Sequence, residues 1–177
     1  MRYRPRETAL ERFFSGLTEH TFEVKLGIVD PPLVDYLSDL LVHFVRADRT
    51  GGLRTPGGRV VSDFGRLLEE ADTRIGAAQR RIHRCIGDLA LFWTGVFPEF
   101  LRRTRTGADL DEFGACCSCG KRAYLIASSI PPEAANAAAS DVLERLGLEF
   151  ERYAYGLREV RRQWEDDADD GYLPIIA

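Results

Sequence analysis

Apolar residues recur every three or four positions along most of this chain, the spacing that places side chains on one face of an α-helix. The spacing predicts a helix over residues 31–48, with Asp30 as its cap and Pro31 at its first position. Three further helices are predicted over about residues 7–25, 110–128 and 140–165. In the first of these the pattern weakens over residues 18–24, where the helix can bend or end. Strand-type alternation is nearly absent.

The segment between residues 63 and 94 allows two interpretations. It forms either one long helix or two helices that meet at a break near residues 73–76. Because the apolar positions keep one helical phase throughout, one long helix is favoured. Leu91 and Phe92 fall outside the apolar stripe, so this part of the helix is apolar nearly all round. We therefore expect it to be the central and most enclosed helix.

Helices that each carry one apolar stripe bury those stripes most simply against one another. We predict an all-α fold, a single-domain bundle of about five helices with a long central helix, formed by residues 1–165. An acidic C-terminal tail, residues 166–177, follows the bundle. Glycine and proline are frequent over residues 49–59, which predicts a loop long enough to be a candidate for function.

Composition and charge narrow the classes of partner. The formal net charge of −4 argues against nucleic acid or an anionic membrane, because both require a basic surface. No apolar run approaches the roughly 18 residues that a membrane span needs. The basic residues 1–6 are not followed by an apolar segment, so no signal peptide is predicted and we expect a cytoplasmic protein.

Three of the four cysteines, Cys116, Cys117 and Cys119, lie within one helical turn. Cys116 and Cys119 have the C-x-x-C spacing of zinc sites and dithiol redox centres. A thioredoxin-type site needs a βαβ setting, and a structural zinc needs a second ligand pair, for which only Cys85 and His83 are available. Packing of Cys117 as a small apolar side chain is favoured. Cys116 and Cys119 therefore remain weak metal candidates, and no cofactor is predicted.

Polar residues interrupt the apolar pattern in and before residues 87–99. His83 lies off the main stripe, in line with small residues such as Gly87, so it would face a neighbouring helix or a crevice. A histidine satisfied by a hydrogen bond is favoured over a catalytic or ligand role. Asp88 also lies off the stripe and can pair with Arg84 one turn earlier or with Arg81. The candidate ligand-binding residues are His83, Arg84, Asp88, Trp93 and Tyr124.

Arginines form two clusters that could bind anions. The first cluster has acidic residues nearby, which favours a solvated or ion-paired face over an anion site. Its members are Arg74, Arg80, Arg81 and Arg84. The second, Arg102, Arg103 and Arg105, lies in a predicted turn without nearby acids and is the better anion-site candidate.

The G-D-x-x-L-F-x-x-G-x-F-P-E motif at residues 87–99 resembles a bacterial family of uncharacterised helical proteins. The resemblance extends to residues 36–41, 120–124 and 142–160 and so spans most of residues 33–160. It implies an all-helical fold and supplies no activity. Members of that family carry tyrosines where this chain has Cys116, Cys117 and Cys119, which weakens any function based on the cysteines.

Two functions are consistent with these patterns. The leading hypothesis is a non-catalytic protein-interaction or regulatory protein that binds a protein partner or forms a homodimer. It rests on two observations: the sequence shows no complete set of catalytic residues, and some apolar residues lie outside the apolar stripes of their helices. These apolar residues are Leu91, Leu148 and Tyr155. The alternative is a small-molecule-binding protein or enzyme with a pocket enclosed by the bundle near the residue 87–99 motif.

Overall fold

The computed structural model describes residues 8–49, 60–102, 112–134 and 137–169. Within these residues the chain is helical and contains no strand, which confirms the predicted all-α class. None of the described helices is long and apolar enough to cross a bilayer. The α-helices in chain order are α1 (Ala9–Glu19), α2 (Pro31–Arg49), α3 (Val60–Asp72), α4 (Gly76–Gly95), α5 (Pro98–Arg102), α6 (Glu112–Ser129), α7 (Ser140–Leu148) and α8 (Phe150–Asp169).

The first predicted helix changes its winding where the apolar pattern weakens. Thr8 and Glu11 cap α1 reciprocally: the Glu11 N–H donates to Thr8 Oγ1 at 3.3 Å, and the Thr8 N–H donates to Glu11 Oε2 at 2.7 Å. From His20–Lys25 the backbone widens into a π-helical turn. Gly27, with φ at +66°, then turns the chain toward α2.

The single long helix predicted over residues 63–94 is wrong, because the chain breaks between α3 and α4. Ile75 is extended, with φ −129° and ψ 160°, and Gly76 has φ +58°, which glycine adopts without steric cost. The Thr73 hydroxyl donates to the Glu70 carbonyl at 2.8 Å in the last turn of α3. In the sequence one apolar phase continues across both helices, so periodicity alone could not reveal the break.

The helix predicted over residues 140–165 is also divided. Glu149, with φ −114° and ψ 32°, separates α7 from α8, and its N–H donates to the Arg145 carbonyl at 2.9 Å. The break at Glu149 leaves the apolar face of this helix unchanged. The break before α4 does not, because His83, predicted to lie off the apolar stripe, is buried, whereas Cys85 is exposed. The described part of the bundle therefore contains more and shorter helices than the five or so that were predicted.

Three predicted features lie wholly or partly outside the described residues. The loop over residues 49–59 lies beyond Arg49, and the second arginine cluster lies beyond Arg102, the last residue of α5. The acidic tail predicted over residues 166–177 begins inside α8, which continues to Asp169, and the rest of it lies beyond the described residues. The roles predicted for these features stay predictions.

Helix α4 is the centre of the bundle and packs against α2, α3, α5, α6 and α8. Its enclosed residues include Ile86, Ala90, Leu91 and Phe92. Leu91, which the sequence left open as either an interface residue or an inner contact of the central helix, is therefore part of the core. A Cβ on Gly87 would lie 2.7 Å from the Tyr124 ring, and one on Gly120 would lie 2.6 Å from Ala90 Cβ. Close approach of α4 and α6 offsets the roughly 1 kcal/mol that each helical glycine costs.

Candidate functional site

A cleft of about 780 Å³ lies between α2 and α4. Its residues recur one turn apart because each helix presents one face to it. The wall formed by α2 includes Tyr36, Asp39, Leu40, His43 and Phe44. The wall formed by α4 includes Arg81, Arg84, Cys85, Asp88 and Leu89. Ala138, from the segment before α7, completes the lining.

The carboxyl group of Asp88 joins three helices at the bottom of this cleft. Tyr36 of α2 donates its hydroxyl to Asp88 Oδ1 at 2.5 Å, and Tyr124 of α6 donates to the same oxygen at 2.8 Å. Tyr124 is fully buried and reaches Asp88 because Gly87 leaves room for its ring. The two phenols therefore fix the position of the carboxyl group.

Burial has the largest effect on the pKa values of Asp88, Tyr36 and Tyr124. It raises the pKa of Asp88, although the hydrogen bond from Tyr36 and the charge of Arg84 act in the opposite direction. Burial, followed by the charge of Asp88, raises the pKa values of Tyr36 and Tyr124 well above their ordinary value. Both phenols therefore remain hydrogen-bond donors across the physiological pH range, and Asp88 holds a proton more readily than an exposed carboxyl group.

Arg84 supplies the positive charge next to Asp88. Its Nε lies 3.4 Å from Asp88 Oδ2, and its guanidinium carbon lies 5.6 Å from the centroid of the Tyr36 ring. The contact with Asp88 is long and single, unlike the paired bonds of a bidentate ion pair. The Arg84 side chain is 43% exposed, so an incoming ligand can reach its guanidinium group.

Asp39 and Cys85 add two further titratable groups to the walls. Burial, followed by the charge of Asp35, raises the pKa of Asp39. Burial, followed by the charge of Asp88, raises the pKa of the Cys85 thiol. A thiol with a raised pKa is mostly protonated at neutral pH and is a weak nucleophile. The cleft is therefore better suited to binding than to thiol chemistry.

The cleft has a charged end and an apolar end, because α2 and α4 run in the same direction along it. Tyr36 bonds to Asp88 near one end, and eight residues further along α2 the ring of Phe44 stacks on Phe92 at 4.4 Å between centroids. Ala47, three residues beyond Phe44 on α2, also lines the cleft. One ligand could thus contact charged and apolar groups at once.

The structure brings together three of the five sequence-predicted candidates. Arg84 and Asp88 line the cleft, and Tyr124 donates a hydrogen bond to Asp88. His83 lies elsewhere: it is buried, its Nδ1 has no hydrogen-bond partner among the described residues, and burial lowers its pKa. Trp93 also lies apart, packing edge-on against Phe92.

Sequence reasoning missed the whole α2 wall. The signal was present, because Tyr36 and His43, two helical turns apart, lie at the edge of the apolar stripe of α2. What the sequence lacks is the information that this edge of α2 faces Arg84 and Asp88 of α4. A pairwise helix contact, rather than a motif, creates the site.

The cysteines of the C-x-x-C motif lie outside the cleft. Cys116 is buried with its Sγ 3.9 Å from the Ala90 carbonyl, and burial raises its pKa to about 12. Cys117 is buried as well, as the packing interpretation predicted, and Cys119 is partly exposed. Among the described residues, no three side chains of the types that bind metals are grouped closely enough to hold an ion.

The family resemblance of the residue 87–99 motif stays a prediction, and the functional assignment rests on the cleft itself. No protein-family model, curated protein or solved structure matches this chain.

Proposed function

We propose that this chain is a small-molecule-binding protein and that its site is the cleft between α2 and α4. The observation that supports this proposal is the convergence of Arg84 and Asp88 on a cleft with apolar side chains at its other end. A volume of about 780 Å³ falls within the range of roughly 300–1,000 Å³ that is typical of ligand pockets.

Pre-organisation of the polar groups favours binding over a purely structural role. Tyr36 and Tyr124 hold Asp88 in one orientation, so a ligand would not have to order this carboxyl group when it binds. Arg84 presents hydrogen-bond donors, and Asp88 presents an acceptor or, when protonated, a donor. A ligand with one polar end would find both kinds of partner.

The proposal is tested by screening a metabolite library for compounds that raise the thermal unfolding temperature. A compound at 100 times its dissociation constant should add about 2.7 kcal/mol to the free energy of unfolding. Hits should lose most of this effect in Arg84→Gln. Arg74→Gln is the matched control, because Arg74 is an exposed arginine that pairs with Glu70 and does not line the cleft.

Two results would contradict the proposal. One is a screen in which no compound stabilises the protein. The other is a set of hits that Arg84→Gln and Arg74→Gln weaken to the same extent, because such ligands would bind outside the cleft. Amide chemical shifts of residues 36–44 and 81–89, followed during titration, locate each hit independently.

A second candidate function is association through α6 and α7, as a homodimer or with a protein partner. Leu125 and Leu148 are 37% and 63% exposed, and the Leu125 side chain lies against Gly147, next to Leu148. Tyr155 of α8 is also half exposed. Adjacent exposed apolar side chains are the observation that favours an interface here. The net charge of −4 favours a protein over a nucleic acid as the partner.

Light scattering over a range of protein concentrations tests the homodimer. We expect a concentration-dependent mass that Leu148→Glu reduces to that of the monomer. Val24→Glu is the control, because Val24 is at least as exposed as Leu148 but lies in the π-helical turn. A monomer mass at every concentration would argue against a homodimer.

A further inference from the structure

Three arginines of α4, Arg80, Arg81 and Arg84, lie near Ala138 at the charged end of the cleft. Arg80 is buried and donates from Nε to the Ile130 carbonyl at 2.9 Å and from Nη2 to the Ala138 carbonyl at 2.6 Å. These acceptors carry no net charge, and no carboxylate among the described residues pairs with Arg80. A buried guanidinium group whose described partners are two carbonyl groups and one hydroxyl group therefore lies next to Ala138.

The other two guanidinium groups hold their carboxylate partners weakly. Arg81 Nη1 lies 3.6 Å from Glu133 Oε2, with the two side chains 70% and 75% exposed, so this pair contributes little and exchanges readily. Arg84 makes a single contact of 3.4 Å with Asp88. Each guanidinium group has five N–H donors, and most of those on Arg81 and Arg84 remain available to an anion in the cleft.

The opposite end of the cleft offers apolar surface. The cleft residues farthest from Tyr36 along α2 are His43, Phe44 and Ala47, and two of these three are apolar. The eight residues from Tyr36 to Phe44 correspond to roughly 12 Å along α2, at about 1.5 Å per residue. A ligand of that length would reach from the arginines to the apolar end.

We propose, on the basis of the binding function above, that the ligand is an amphipathic anion. Its carboxylate, phosphate or sulfonate group is held by Arg81 and Arg84, and the buried charge of Arg80 adds attraction. Its ring or hydrocarbon chain lies against the apolar end of the cleft. Asp39, on the α2 wall, opposes the anion and so limits the affinity.

Two dyes that differ only in the charged group test this proposal. 8-Anilinonaphthalene-1-sulfonate carries a sulfonate, and N-phenyl-1-naphthylamine is the same molecule without it. Dissociation constants are measured by fluorescence for the full chain and for Arg84→Gln, Arg81→Gln and Asp39→Asn. Arg81→Gln provides a variant that should fold normally, because its side chain is mostly exposed. Protection of Cys85 from N-ethylmaleimide, in a Cys119→Ser background, reports whether the dye occupies the cleft.

We expect the sulfonate dye to bind about tenfold more tightly than the neutral dye, as one charge-assisted contact of about 1.4 kcal/mol would give. Arg84→Gln should remove most of that preference, Arg81→Gln part of it, and Asp39→Asn should increase it. The affinity for the neutral dye should stay constant in all three variants.

The outcomes separate this inference from the proposed function. If both dyes protect Cys85 and bind equally, and the arginine variants change neither, the ligand need not be anionic but the cleft still binds small molecules. If neither dye binds, or neither protects Cys85, the anionic-ligand inference and the proposed function both fail.

Discussion

The carboxyl group of Asp88 is the shared partner of three side chains: the buried Tyr124, the partly buried Tyr36 and Arg84. Oδ1 accepts from Tyr36 and Tyr124, so the loss of one side chain leaves hydroxyl groups on two other helices unsatisfied. Unpaired buried polar groups cost more than the net contribution of an intact hydrogen bond. The stability of the cleft therefore depends on the acceptor more than on either donor.

Asp88→Ala should lower the free energy of unfolding by about 2–4 kcal/mol, because it leaves two phenols unpaired, whereas Tyr124→Phe should cost about 1 kcal/mol. Urea denaturation followed by circular dichroism measures both values. Equal losses in the two variants would show that the shared acceptor has no special role.

His83 gives the protein a pH dependence of its own. Burial lowers the pKa of His83, while the charge of Asp72 raises it and that of Arg122 lowers it further. Because the folded-state pKa is below the unfolded value of about 6.5, the unfolded state binds the proton more readily. This contribution to stability is fully present above about pH 6.5 and is lost as the pH falls through the folded-state pKa.

We therefore expect the unfolding free energy to decline below about pH 6.5 and to decline less in His83→Gln. Urea titrations at several pH values measure this slope. His43→Gln serves as the control, because His43 is an exposed histidine at the cleft. If His83→Gln leaves the slope of the parent chain unchanged, burial of the imidazole does not cause the pH dependence.

At the scale of elements, apolar periodicity predicts which residues are helical and fails at the ends of helices. Helix α2 matched its prediction because Asp30 and Pro31 mark its start in the sequence, and the Leu33 N–H indeed donates to Asp30 Oδ1 at 3.4 Å. The break before α4 has a weaker marker, and the sequence favoured one long helix over the two helices that the structure contains. Gly76 could equally have occupied a helical position, and only its φ of +58° shows that it turns the chain.

The turn at Gly76 predicts opposite effects for two similar substitutions. Gly76→Ala should destabilise the protein by about 1–2 kcal/mol, because an alanine Cβ clashes in the left-handed conformation. Gly65→Ala should stabilise it by up to about 1 kcal/mol, because Gly65 lies within α3 and no atom lies within 4 Å of its added Cβ. Urea denaturation of both variants checks the signs. If both substitutions stabilise the protein, Gly76 is not required for the turn.

At the scale of the whole molecule, the sequence predicts that the apolar face of each helix is buried. It does not predict which helix packs against which. The apolar stripes identified a bundle, and the all-apolar part of α4 identified its centre. The cleft depends on which edge of α2 faces α4, and this choice involves residues far apart in the sequence. Tyr36 and Asp88 are 52 positions apart, so no local pattern could join them.

The arrangement of contacts also predicts uneven stability within the bundle. Helix α4 packs against five other helices, whereas α3 packs mainly against α4 and presents several exposed residues, including Leu68. A helix with one main neighbour can open without unfolding the rest. Amides of α3 should therefore exchange hydrogen through a local opening, at a lower free energy than the amides of α4, which should require global unfolding.

Leu157→Ala distinguishes local from global opening. Leu157 is fully buried in α8 and lies against Gly95 of α4, so its truncation should lower the opening free energy of α4 amides by about 2–5 kcal/mol. Amides of α3 should keep their original opening free energy, because α3 can detach while the contact between α4 and α8 remains. Hydrogen exchange followed by NMR measures both sets of amides in each protein. A parallel loss in α3 and α4 would mean that the bundle opens as one cooperative unit and that α3 depends on all of it.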